Sequence, residues 1–502
     1  MLPLEIVISI MQEGNIDDKY FVLRNTWVNQ RWRNTLIGLK ELWSCLRYVG
    51  AELKDKSYDA KRATWVARAG TQLETISFEG LTTTNVSRLT KAHDAKLLKS
   101  IRTLKISVKE PLAFDKMAQK FADICEGVKH LEIDGGYDPW NGRLRRGNGP
   151  TELNCGFPFN WHSNSVKTIR VSNVDFRSLL ETHASWSFYA KPSGYYSLER
   201  LQVDHCAFNN NYRTTTPVFP DYENPDDGIH QSDPLHFALR ATDKLEYLSV
   251  TPDAKTLATA LKPGIGRRKE LPLLKTAILP PPSVWSIDIS APNLRKLHFV
   301  LSSQRSFDKY DFTQSPGPSG EPLIPTIADT PVALESMSKL EDLAFECNYR
   351  DDIARLEEWL SQTSSLTTLS LSGSGMPYPK KLATPENPDN RAQIRLVQLL
   401  IDHPEYVPRL TELKLEYCWA TSTKLMELVK HRKASDSAST MIRLTLAGCP
   451  LLTKEEYTTL TQEVPNFEYT RGMPAGKGGN AEYTHWDFRD ASFQAKYSQS
   501  WL

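Results

Sequence analysis

The chain lacks a basic excess: Lys and Arg number 61 against 60 Asp and Glu, for a formal net charge of +1. That balance argues against a dedicated nucleic-acid binder, whose phosphate contacts usually show as surplus positive charge. No apolar run approaches the roughly eighteen residues that span a bilayer. The apolar stretch from Ile6 to Met11 has no basic flank, includes neighbouring Glu5 and lacks a small-residue cleavage site, so no signal peptide is expected. The seven cysteines are scattered without a C-x-x-C pair, which points to reduced intracellular thiols rather than a disulfide framework.

Catalytic signatures are also missing. There is no G-x-S-x-G, H-E-x-x-H, P-loop or dinucleotide fingerprint; Gly264-Ile265-Gly266 lacks a third glycine, and no Ser or Thr follows Gly476-Lys477. His205 and Cys206 are adjacent, and neighbouring residues on a strand face opposite sides. Asn85-Val86-Ser87 matches the glycosylation pattern but conflicts with an intracellular setting. The expectation is a non-enzyme with no metal and no cofactor.

What is present is a repeat. The fragment apolar-x-x-apolar-x-apolar recurs from Leu73/Ile76/Phe78 and Ile101/Leu104/Ile106 through Leu410/Leu413/Leu415 and Met441/Leu444/Leu446, with a degraded copy at Leu274/Ala277/Leu279. Its middle positions run from 76 to 444 in steps of 20 to 47 residues. The last two apolar residues lie two apart and share one face of a strand. One such unit cannot bury its own apolar face, whereas stacked units form a common core beneath a parallel sheet. At 502 residues, length alone suggests about three domains, but a repeat array fills most of the chain as one body.

Cys206, Asn348, Cys418 and Cys449 each stand three residues beyond the last strand position of their units. This pattern resembles leucine-rich repeats, in which an Asn or Cys at that place turns inward to serve buried backbone groups of the next loop. The segment Leu444 to Thr453 resembles the cysteine-containing subtype found in F-box proteins. The resemblance implies an α/β solenoid over residues 73–470, with about twelve irregular repeats, a curved parallel sheet and helices on the convex side.

Residues 1–48 follow a helical pattern. Leu2-Pro3-x-Glu5-Ile6-x-x-x-Ile10 opens a first helix, with proline in the first turn and Glu5 near the positive end of the dipole. A break at Gly14 to Asp18 precedes Phe21, Val28, Trp32 and Leu36; Leu39, Leu42, Trp43 and Leu46 then make an i, i+3, i+4, i+7 stripe that predicts a third helix. With Val28-x-x-Arg31-Trp32-Arg33 and Leu42-Trp43-x-x-Leu46, this order resembles an F-box of the fungal form. Asn29 departs from the cysteine often found there. The resemblance implies a small all-α domain that binds a Skp-type adaptor, and through it a cullin, using Leu2, Pro3, Glu5, Ile6, Ile10, Trp32, Leu42 and Trp43. The repeats would then hold an unidentified protein substrate of a ubiquitin ligase in the cytoplasm or nucleus, with no nucleic-acid or membrane partner. The alternative for the same residues is a helical cap covering the first repeat of a scaffold with no link to ubiquitin.

Residues 49–72 resemble the linker helix of such proteins, around Ala63 to Gly70. Loops are expected at 134–163, 207–236, 302–333 and 373–392, serving either as a binding face or as decoration. Arg143, Arg145 and Arg146, and again Arg267, Arg268 and Lys269, read as solvated basic loops. The tail at 471–502 carries Trp486, Phe488, Phe493, Tyr497 and Trp501, and is expected to pack on the last repeats or run back along the array.

Overall fold

A computed structural model describes residues 6, 9, 30–51, 58–88, 101–108, 127–135, 166–172, 197–206, 244–252, 268–279, 288–299, 337–347, 353–373, 392–416, 422–435, 438–449 and 454–471. The chain forms two compact units, Met1–Leu245 and Glu246–Leu502.

In the first unit, helix α1 (Gln30–Gly38) and a 3-10 turn (Lys40–Trp43) lead into strand β1 (Cys45–Val49). Helix α2 (Tyr58–Ala69), strand β2 (Thr75–Leu81) and the short helix α3 (Thr83–Arg88) follow. Strands β3 (Thr103–Val108), β4 (His130–Asp134), β5 (Thr168–Ser172) and β6 (Arg200–Cys206) complete this unit's described strands. All six pair in parallel in chain order, with Leu46, Ile76, Leu104, Leu131, Ile169 and Leu201 in register.

The second unit continues with β7 (Tyr247–Pro252), β8 (Arg268–Glu270), β9 (Thr276–Leu279), β10 (Asp288–Ser290), β11 (Lys296–Phe299) and β12 (Asp342–Cys347). Then come α4 (Ile353–Gln362), β13 (Thr368–Gly373), α5 (Ala392–Asp402), β14 (Glu412–Glu416), α6 (Ser422–Ala434), β15 (Arg443–Cys449), α7 (Lys454–Glu463) and β16 (Asn466–Arg471). Its main sheet is again parallel and in chain order, aligning Leu248, Ala277, Leu297, Leu343, Leu369, Leu413, Leu444 and Phe467.

The apolar triplets form the core. Every member of the twelve copies is buried, the most exposed being Phe299 at 8%. The strand entries repeat one hydrogen-bond device: a single carbonyl accepts from two successive amides of the next unit. Glu74 O takes the N–H groups of Arg102 and Thr103 at 2.8 and 3.0 Å, and Glu341 O takes those of Thr367 and Thr368 at 2.9 Å each. Burial of the triplets therefore leaves these turn amides paired.

Spacing decides what covers the back of each unit. Only 20 residues separate Ala277 from Leu297, too few for a helix and its two turns. There the chain places β10, which pairs in parallel with β8, and Leu271 N donates to Ser290 O at 2.8 Å. Longer spacings accommodate α4 to α7, whose neighbours pack against one another. These helices bury Trp359, Leu396, Leu400, Leu425, Leu428 and Leu460.

Two expectations change. Leu39 to Leu46 is not a third helix: a 3-10 turn ends at Trp43, and Cys45–Val49 is already the first strand of the sheet. Trp43, Leu46 and Tyr48 have the spacing of the repeat triplet and are buried, so the array begins before residue 73. The stripe fits both readings because Trp43 and Leu46 are i, i+3 on a helix and also the turn and strand positions of a repeat. The second change is at Arg268 and Lys269, which lie in β8 rather than in a loop.

Candidate partner-binding surfaces

Of the residues that the F-box resemblance singles out, Ile6 is helical and 45% exposed. Leu2, Pro3, Glu5 and Ile10 lie outside the described residues. Trp32 belongs to α1, and its side chain lies outside the description. Leu42 and Trp43 are internal, at 4% and 0% exposure, which corrects their assignment as adaptor contacts. The Trp43 indole N–H donates to Leu36 O at 2.9 Å, and that of Trp65 on α2 donates to Trp43 O at 3.0 Å. The two rings meet edge to face with centroids 4.7 Å apart, and the Arg68 guanidinium stacks over Trp43 at 4.6 Å. Burial, followed by the charge of Arg33, lowers the pKa of Arg68. This cluster ties α1 and α2 to the first strand.

Cys206 and Cys449 end β6 and β15, so both stand where the chain leaves the ladder. A register shift between Ala447 and Cys449 marks that departure in β15. Asn348 and Cys418, the loops 207–236 and 302–333, all of 134–163 but residues 134 and 135, all of 373–392 but residues 373 and 392, the Arg143 cluster and the tail beyond Arg471 lie outside the described residues. Asn85 is 5% exposed, a position unable to accept a glycan.

The sheet face opposite the apolar triplets is polar in both units. In the first, Arg47 pairs with Glu79 at 2.7 Å and Lys105 with Glu132 at 2.9 Å. Arg170 reaches Glu132 at 3.6 Å and Asp204 at 3.4 Å. Ser107 and Ser172 both donate to Asp134. Positive and negative groups thus alternate across adjacent strands, half exposed, and each pair contributes about 0–1 kcal/mol to stability.

In the second unit, Asp342 accepts from Lys296 at 2.7 Å and lies 3.0 Å from the ring nitrogen of His298. Burial pushes the Asp342 carboxyl up, but the hydrogen bonds from His298 and Lys296 outweigh it and leave its pKa lowered. Lys414 pairs with Glu416 at 2.6 Å, and Arg443 approaches Glu412 at 3.7 Å. A broad, polar, charge-balanced face of this kind can bind a protein through complementary pairs, which set specificity and register.

One buried cation was not visible in the sequence. Arg432 looks like part of the basic last turn of α6 with His431 and Lys433, yet it is fully buried. Its Nη2 donates to Val407 O at 3.0 Å and Leu410 O at 3.1 Å, and its Nε to Ser439 O at 3.3 Å. Burial lowers its pKa to about 10. It holds the turn that feeds β14. Among the described residues, no group of His, Cys, Asp or Glu is arranged to hold a metal, and no helix is long and apolar enough to cross a membrane.

No protein-family model matches the chain, and no curated protein matches its sequence. Similar solved structures include a protein from Bacteroides fragilis, 14% identical over 62% of this chain and 66% of its own, with a TM-score of 0.25. The chain thus spans just under two thirds of that protein's length. A leucine-rich-repeat protein of Leptospira interrogans is 10% identical over 76% of this chain and 93% of its own, with a TM-score of 0.22. TLR13, in a complex with ssRNA13, is 12% identical over 81% and 70%, with a TM-score of 0.18. With one parallel strand per apolar triplet, aligned in register through each unit, this chain has an α/β leucine-rich-repeat fold.

Proposed function

We propose that the chain is the substrate-recognition subunit of an SCF-type cullin-RING ubiquitin ligase. Its N-terminal head docks on a Skp-type adaptor, and through it a cullin, while the polar sheet face holds a protein target. Ubiquitin transfer belongs to the recruited conjugating enzyme, and this chain makes no covalent bond. The reading puts the protein in the cytoplasm or nucleus. The observation that carries it is the division between residues of the F-box-like pattern: Leu42 and Trp43 are buried, whereas Ile6 is 45% exposed. An adaptor contact needs apolar side chains left open to a partner, and Ile6 is such a side chain.

A second reading is a protein-interaction scaffold whose head is only a cap. It is favoured by the Trp43–Trp65 contact, which joins the head to the first strands. Co-purification of the full chain with a Skp-type adaptor separates the two. The ligase reading expects a stoichiometric complex that Ile6→Asp disrupts, and the cap reading expects none. Deleting residues 1–48 would remove Trp43 and most of β1, so the point substitution is the cleaner test.

A further inference from the structure

The degraded repeat copy is inverted. In β9 the small Ala277 takes the core position, 1% exposed, while the larger Ile278 alternates onto the polar face and is half-buried there. At that place an isoleucine adds nothing to the repeat's own core. Ile278 is in register with His298 of β11, and His298 with Ala344 of β12. Ala344 is in turn in register with Ser370 of β13. This middle row crosses four strands with no charge-bearing side chain except His298. Ser249 of β7, 4% exposed, bounds it on one side and Lys414 of β14 on the other.

The charges around this window are one-sided. Lys296 and His298 share one carboxylate, that of Asp342, at 2.7 and 3.0 Å. The acidic positions nearby on this face, Asp342 and Glu346, both belong to β12. On the β9 side, Thr276 and Ile278 carry no charge. At the strand entries, Lys275 is matched by Glu246 at 2.8 Å and Arg295 by Glu341 at 2.9 Å. Once His298 is protonated, two cations meet the Asp342 carboxylate, and a second carboxylate has its approach from the β9 side.

We infer that this window is where the target docks, and that its occupant is an acidic segment of the target protein. An apolar side chain of that segment packs over Ile278 and Ala344, and an adjacent Asp or Glu bonds to Lys296 and His298 from the β9 side. An apolar centre inside a polar rim is the usual anatomy of a protein contact, and the complementary charge fixes its register. A partner carboxylate favours the charged imidazolium, so the contact tightens as pH falls through the range in which histidine titrates. Such docking rests on the reading of the polar sheet face as the surface that holds a protein target, and it is independent of the adaptor.

Selection of a random peptide library displayed on phage against the full chain tests it, with Ile278→Asp and Ile278→Ser as comparison baits and thermal midpoints recorded for each. Wild type should enrich peptides that carry an apolar residue beside Asp or Glu, and both variants should lose that enrichment. The affinity of the most enriched peptide should fall at least about tenfold in Ile278→Ser, which keeps the polar character of the face. Its binding to wild type should be several-fold tighter at about pH 5.5 than at about pH 7.5, and His298→Gln should flatten that difference. The window is overturned if no acidic–apolar consensus emerges, if the Ile278 variants bind the peptide as wild type does, or if the pH dependence survives His298→Gln. Peptides lost with Arg170→Glu but kept by the Ile278 variants would put the target on the first unit's face, overturning the window while leaving the sheet face as the target surface.

Discussion

Trp43 and Trp65 meet edge to face at 4.7 Å, and the Trp65 indole N–H donates to the Trp43 carbonyl at 3.0 Å. The pair joins the turn before β1 to α2, linking the helical head at 1–48 to the linker helix expected at 49–72. Trp43→Ala should therefore destabilise the first unit by about 3–5 kcal/mol. Trp65→Phe keeps most of the ring contact and should cost about 1 kcal/mol through the lost hydrogen bond. Urea titration followed by circular dichroism checks both. Equal losses for the two variants would contradict the separation of packing from hydrogen bonding.

Gly50 leaves no room for a side chain. A Cβ there would lie 2.5 Å from Gly80 O and 2.7 Å from Asn85 Nδ2, and Gly50 N already donates to Glu79 O at 2.9 Å. Gly80 itself has φ of 59° and lies in β2 at the register shift between Phe78 and Leu81, so the obstructing carbonyl belongs to a strand held by pairing on both sides of the shift. Gly50→Ala should cost about 2 kcal/mol or more through overpacking. An unchanged thermal midpoint would show that the end of β2 can yield.

Arg432 shows how much of the fold was legible and what was hidden. The triplets located the strands because Leu, Ile and Val recur at fixed spacing, and all twelve copies lie on parallel strands. Trp43/Leu46/Tyr48 and Val464/Phe467/Tyr469 have the same spacing, but their aromatic residues obscured it. The role of Arg432 could not be read because its neighbours His431 and Lys433 are exposed, and a basic helix end ordinarily faces water. In the head, composition could not separate Trp43 as core from Ile6 as surface, since both are apolar positions of one pattern.

Arg432→Met should remove the donors to Val407 O and Leu410 O while relieving a buried charge. Val407 O would keep the Leu410 N–H at 3.1 Å, while Leu410 O would lose its donor. An unpaired carbonyl costs about 1–3 kcal/mol, partly offset by the relief, for an expected net loss of about 1–2 kcal/mol. Arg432→Lys should not restore stability, because an ammonium cannot span both carbonyls and Ser439. Thermal denaturation of both variants measures this, and full recovery by lysine would contradict the role assigned to the guanidinium.

Asp342 carries a pH signature. Its pKa is lowered from 3.8 in the folded chain, so its contacts with Lys296 and His298 stabilise the fold above that value and are lost as pH falls through the lowered one. Wild type should exceed Asp342→Asn in stability by at most about 1 kcal/mol near neutral pH, the group being partly exposed. The difference should vanish in acid below 3.8. A difference that persists in acid would place its origin in packing.

The most direct measurement is the affinity of the full chain for a purified Skp-type adaptor, determined for wild type and Ile6→Asp with thermal midpoints recorded in parallel. The proposed function predicts that wild type binds and that Ile6→Asp weakens binding at least about tenfold, since a charge would enter an apolar contact. Its exposed starting position predicts an unchanged midpoint. Absence of binding by the folded wild-type chain, or equal affinity of the two proteins, would contradict the assignment of the head as an adaptor-docking module.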